Sequence, residues 1–334
     1  MARALLTGAL AVALGVAAIL LLPRDGGAGP HGRQALLVED RWTPLEPAPI
    51  RQTETAAARL GRFVYVVGGF EDESRRTVAT VARYDIRRDR WRLVAEMPVP
   101  LNHPTAVAHR GHLYVHGGYR NETDLADPTG VLLRYDPDRD RWRRLPSSPT
   151  PRAAHALAAI KGRLYAAGGA NDSGSLRSLE IYDISRRRWS SGPDFPGPAR
   201  NHTTGAATGG RFYVLGGRDV GNYATAERYD PRRRRWQKLP PLRVARAGIA
   251  AVRLGDGRIV VFGGEVLGPG GTTIAEVEIF DPRRRRWSFL PDMRTPRHGL
   301  GGAALGRRVY AIEGGPLPGL HFSPEIEYLD VPRR

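Results

Sequence analysis

The chain has 334 residues, 41% of them apolar, which is enough for a core and excludes wholesale disorder. Gly (40) and Pro (27), spread along the whole length, work against long helices, and the absence of cysteine excludes disulfides, Cys-ligated zinc, iron–sulfur clusters and a thiol nucleophile. The net charge of +17 is an excess of arginine, since Lys161 and Lys238 are the only lysines, and a GC-rich genome would produce it as readily as an anionic partner.

Ala4–Leu22 is an uncharged apolar run of 19 residues behind Arg3. As a helix at ~1.5 Å per residue it reaches about 28 Å, near the ~30 Å of a hydrocarbon core. It is long for a cleavable signal, and no Ala-x-Ala precedes Pro23. We read 1–22 as an uncleaved anchor in preference to a removed signal peptide. Either reading makes the rest extracytoplasmic. Arg3 and Arg24 balance, so they do not set the orientation. Residues 23–40 read as a linker and 41–334 as one repeat domain.

A Gly-Gly pair closes an apolar, strand-like run six times, starting at Gly68, Gly117, Gly168, Gly216, Gly263 and Gly314. Six tryptophans recur in step: Trp42, Trp91, Trp142, Trp189, Trp236 and Trp287. An aromatic-Asp pair precedes five of them by seven residues, from Tyr84-Asp85 to Phe280-Asp281. The sixth copy, Tyr328-Leu329-Asp330, has no tryptophan after it. A period of 47 to 51 residues holds four short strands. Strand a is small-residue, strand b runs into Gly-Gly, strand c ends at the aromatic-Asp pair and strand d starts at tryptophan. Asp between c and d predicts a tight turn, because its carboxylate accepts from the following N–H groups.

This pattern resembles the kelch repeat, over residues 41 to 334. The resemblance implies an all-β, six-bladed β-propeller of four-stranded blades, of the galactose-oxidase-like class. The truncated last repeat and the orphan Trp42 predict closure: Arg41–Leu45 supplies the missing strand d beside Pro324–Asp330.

Strand alternation sorts the loops by face. The d-to-a and b-to-c loops share one face, called the top, and the a-to-b and c-to-d turns share the bottom. Three bottom turns are basic: Arg186, Arg187 and Arg188; Arg232, Arg233, Arg234 and Arg235; Arg283, Arg284, Arg285 and Arg286. They read either as a solvated rim or as an anion-binding face toward an anionic membrane surface, nearest the bilayer through the linker. At the top, the entry to strand a carries Arg51, His103, Arg152, His155, Arg200, His202, Arg246, Arg297 and His298, expected to bind a protein or glycan ligand among the b-to-c loops. An alternative for the arginines is internal pairing. Blades with Glu180, Glu227, Glu278 or Glu327 in strand c also have Arg152, Arg200, Arg246 or Arg297, while blade two has Leu101 and Leu133. Arg51 faces Ala82 in this alignment and looks unpaired.

No nucleophile elbow, P-loop or dinucleotide fingerprint occurs in a fitting context. His103 and His202 share a register, but His155 and His298 are each out of it by one residue and no acidic ligand joins them. We therefore expect no metal, no cofactor and no nucleic acid partner. A non-enzymatic binding module is favoured. The alternative resembles the six-bladed kelch sialic acid mutarotases, which would act on an acidic sugar with Arg pairing its carboxylate; no catalytic residue is assigned for it.

Overall fold

The computed structural model describes residues 41–334. The anchor and linker expected at 1–22 and 23–40 lie outside the described residues. Six four-stranded antiparallel sheets follow one another along the chain, with no helix among the described residues. Blade one is Ala56–Leu60, Phe63–Val67, Val81–Asp85 and Arg90–Leu93, strands a to d in order. The a-strands of blades two to six start at Thr105, Ala156, Thr204, Ala250 and Gly301.

Residue size explains the layering. The a-strands pack against one another around the axis, so bulk is excluded there: a Cβ added to Gly302 would lie 2.9 Å from the Ala250 Cβ. Strand b is covered on both sides by neighbouring blades, hence Val64, Tyr65, Val66 and Val67 are all buried. One apolar cluster fills each of the six seams between blades. Each tryptophan indole N–H donates across a seam to a backbone carbonyl, as Trp236 does to Pro193 (2.7 Å) and Trp287 to Pro240 (2.9 Å).

The Gly-Gly pairs stitch blades together. At Gly68 (φ 62°) an added Cβ would meet the Leu101 carbonyl of the next blade at 2.3 Å, and the Gly69 N–H donates to that same carbonyl at 2.8 Å. Blade six departs from this by one residue. Glu313 (φ 54°) holds the position of the first glycine, and Gly314 donates to the Gln52 carbonyl. Between c and d, the Asp carboxylate accepts as expected, for example from the N–H groups of Ser185 and Arg186 onto Asp183.

Closure follows the sequence expectation. Thr43 pairs with Tyr328 and Pro44 with Glu327, and the Leu45 N–H donates to the Ile326 carbonyl. Trp42 is buried against Phe262 of blade five and donates to the Pro291 carbonyl. The two ends of the propeller therefore share one blade.

Candidate functional site

The top face is built as concentric registers at the entry to strand a. The outermost comprises Gln52, Leu101, Arg152, Arg200, Arg246 and Arg297, each four residues before its a-strand. The four arginines are fully buried, and each meets the glutamate of its own strand c: Arg152–Glu180 at 3.0 Å, Arg246–Glu278 and Arg297–Glu327 at 3.1 Å, and Arg200 with Glu227. Each also donates to the backbone of strand b or its Gly-Gly end, as Arg152 does to the Gly168 carbonyl (2.8 Å). The guanidinium groups thus lie inside the blades, in the paired alternative, and do not reach the mouth.

Blade one corrects the sequence alignment. Gln52, not Arg51, holds its entry register and donates to the Gly68 carbonyl, whereas Arg51 lies one residue outside. Nor is Arg51 unpaired: its side chain, 60% exposed, sits 3.0 Å from Asp72 and donates to the Phe322 carbonyl. A second misalignment hid an acid. Two residues inward of the outer register stand Glu54, His103, Ala154, His202, Gly248 and Gly299, all with left-handed φ. Their backbones link into a closed annulus: His103 N–H donates to the Glu54 carbonyl, Ala154 to His103, Gly248 to His202, Gly299 to Gly248 and Thr55 to Gly299. Thr203 closes the remaining step onto Ala154. This ring is the channel mouth. Below it lies a cavity of about 130 Å³ walled by small a-strand residues such as Thr105, Gly205 and Gly301.

Three side chains converge on the mouth. The Glu54 carboxylate lies 2.9 Å from His103 Nε2, which lies 3.1 Å from His202 Nε2. The absence of an acid beside the histidines is therefore overturned, and Glu54 supplies one. His298 Nδ1 approaches Glu54 (3.2 Å) and Glu265 (3.5 Å), and Glu265 is held by Arg218 (2.6 Å). Burial opposes the charge on Glu54, but His103 and His298 outweigh it and hold the carboxyl well below its usual range. Burial, with Arg218 and His103 beside it, pushes His202 well below the usual imidazole range. His298 is the opposite case: burial favours the neutral ring, yet Glu54 and Glu265 raise it. His155 lines the cavity below the mouth without joining these side chains: it pairs with Thr105 (2.8 Å) and His116 (2.9 Å), and burial followed by His116 keeps it neutral.

Glu54 and Glu265 are the residues the sequence reading missed. The signal was present: Glu54, His103 and His202 each stand fourteen residues before the first glycine of their blade's Gly-Gly pair. On the bottom face, the basic turns 186–188, 232–235 and 283–286 are exposed for most of their length. Between blades three and four they border a crevice of about 530 Å³ lined by Lys161, Arg163, Arg211 and Arg232.

Comparison with known proteins agrees with this architecture. Residues 54–264 match the KLHDC2/KLHL20/DRC7 Kelch-repeats domain, and residues 250–294 match the Kelch motif. Kelch repeat and BTB domain-containing protein 1 of camelpox virus (strain CMS) is 29% identical over 140 residues, 40% of this chain and 24% of that protein. Human Kelch-like protein 33 is 33% identical over 138 residues, 41% of this chain and 25% of that protein. The chain thus spans about a quarter of the length of these curated relatives. A solved structure described as "Structure of YjhT" superposes with a TM-score of 0.74 at 17% identity, over 86% of this chain and 97% of that one. With the family domain matched over more than half its length and six blades built on the repeat, the chain belongs to the kelch-repeat family.

Proposed function

We propose that this propeller is a protein-binding module whose docking surface is the top face. The observation that carries the reading is where large apolar side chains are exposed. Leu125, Val220, Val266, Leu267, Leu317 and Leu320 all lie on b-to-c loops of blades two, four, five and six, around the mouth. Only Leu93, Phe289 and Leu305 are exposed elsewhere among the described residues. Apolar tips set in polar loops over a rigid scaffold are the usual composition of an interaction surface. Arg51, His103, His202 and His298 belong to this face, and a glycan would meet the same loops. The relatives named above are kelch proteins by name and about four times as long as the stretch they share with this chain, which accords with a repeat module serving a larger protein.

The test pairs a loop variant with a fold control. Val220→Asp combined with Leu267→Asp should abolish capture of the partner retained by the unaltered chain, with the melting temperature unchanged. Capture that survives both substitutions would remove the top face from the reading. A glycan array run on the same pair separates a carbohydrate ligand from a protein.

A sugar-isomerase reading gains one observation, the buried Glu54 beside two histidines, which supplies an acid–base candidate. Against it, the cavity of about 130 Å³ is smaller than the ~300–1,000 Å³ of ordinary ligand pockets. Mutarotation of an acidic sugar, followed by polarimetry and unchanged in Glu54→Gln, would dismiss it. For the bottom face, the exposed basic turns favour an extracytoplasmic protein that leans on an anionic membrane. Vesicle binding that ignores lipid charge, or survives Ser in place of 232–235 and 283–286, would refute this.

A further inference from the structure

We propose that Glu54, His103 and His202 form a binding site for one divalent transition-metal ion of the zinc class at the channel mouth. The site does not depend on the docking surface proposed above. Asn121 offers a backbone carbonyl, which can only accept, so the Thr77 hydroxyl that reaches it (2.5 Å) is the donor there. Thr77 must then accept from Asn102 Nδ2 (2.8 Å), which turns Asn102 Oδ1 toward His103 Nδ1 (2.8 Å). His103 therefore carries its proton on Nδ1. The same chain runs through blade four. Ser175 donates to the Asp219 carboxylate (2.8 Å) and so accepts from Asn201 Nδ2 (2.8 Å), which leaves Asn201 Oδ1 to accept from His202 Nδ1.

Both Nδ1 atoms are thereby fixed as donors, which aims each Nε2 into the mouth, where the two Nε2 atoms face each other at 3.1 Å and His103 Nε2 lies 2.9 Å from the Glu54 carboxylate. An anion and two nitrogens converging on one point need a positive charge among them, either a proton on His103 Nε2 or a metal ion that displaces it. The spacing suits the ion. Donors bound tetrahedrally at ~2.0–2.1 Å stand about 3.3 Å apart, and these three ligand atoms all lie within 4.8 Å of one another. Two imidazoles and one carboxylate are a three-ligand set that leaves a fourth position for water or a small ligand, and neutral nitrogen donors select a transition ion over calcium or magnesium. Asn102 and Asn201 play the outer-shell part that orients ligating histidines.

The remaining groups at the mouth hold the carboxylate in place. His298 and, through Glu265, Arg218 bracket it from one side, while Phe70 and Tyr119 wall His103 edge-on. Gly299 leaves the space it occupies: a Cβ there would lie 2.6 Å from the Glu54 Cδ. Gly299→Ala should therefore displace the carboxylate and weaken the ion without touching a ligand.

The test is equilibrium dialysis of the chelator-stripped full chain against Zn2+, with Ca2+ as the negative control. The wild type should take up about one equivalent of Zn2+ and no Ca2+. Asn201→Ala, a positioning residue, should weaken Zn2+ by roughly 10–100-fold, and His202→Ala by more. His112→Ala, at the bottom end of strand b in blade two, should change nothing. Cobalt bound to the wild type should give the absorption of a four-coordinate nitrogen–oxygen site, a readout that needs no variant to fold. Zinc uptake that survives loss of both His103 and His202, a six-coordinate cobalt spectrum, or no stoichiometric uptake by the wild type would each overturn the proposal.

Discussion

In blades three to six a buried arginine at the entry to strand a meets a glutamate of strand c, whereas blade two has Leu101 and Leu133 at those positions and blade one has Gln52 and Ala82. Both solutions hold a four-stranded blade in the same ring. An ion pair taken out of water is roughly exchangeable with an apolar pair of similar volume, so its presence says little about stability and nothing about ligands. What it does create is dependence: each partner is needed only because the other is there. The unlocked blades, meanwhile, supply Glu54 and His103 to the mouth. Structure and chemistry are thus carried two residues apart on the same segment.

The largest expected effect breaks one lock. Arg200→Ala leaves Glu227 buried without its partner and should cost about 3–5 kcal/mol in denaturant unfolding, while Leu101→Ala in blade two should cost the ~2–5 kcal/mol of a leucine cavity with no dependence on pH. Similar in size is the closure seam: Trp42→Ala removes an aromatic buried between blades five and six and should cost about 3–5 kcal/mol. A loss below ~1 kcal/mol would mean that the N-terminal strand is not what shuts the ring.

Next comes Glu313, which stands where other blades have glycine. It is fully buried, and burial, only partly offset by Thr55 and Arg297, raises its pKa to about 8. The folded chain therefore binds its proton more tightly than the unfolded chain, whose glutamate titrates near ~4.3. Stability from this group is present at low pH and is lost as pH rises toward about 8. Glu313→Gly should remove that slope and raise the melting temperature most at alkaline pH. Identical slopes in variant and wild type would count against a buried, protonated Glu313. Smallest is Arg51→Ala, an exposed residue paired with an exposed-side Asp72, for which a stability change within ~0.5 kcal/mol is expected.

The fold was legible because it repeats. Trp42, left over at one end, and the tryptophan missing after Asp330 at the other predicted the closing strand, and the structure pairs Thr43 with Tyr328. The paired arginines were half legible, since Arg and Glu disappear together in blade two. The mouth was misread for a physical reason. In a left-handed turn one residue of register decides whether a side chain enters the blade or the channel; sequence alignment sets Arg51 in the place that Gln52 holds and leaves Glu54 out. A count back from Gly68 recovers Glu54; nothing in the local sequence marks Glu265, which reaches the site through the b-to-c loop of blade five and its contact with His298.

The central claim is that the entry arginines are locks and the mouth belongs to Glu54, His103 and His202. Its most direct test is the unfolding free energy of the double variant Arg200→Leu with Glu227→Leu, which writes the blade-two solution into blade four. The account predicts a double variant within ~1.5 kcal/mol of the wild type, well above Arg200→Ala alone. A double variant as unstable as the single one would contradict it.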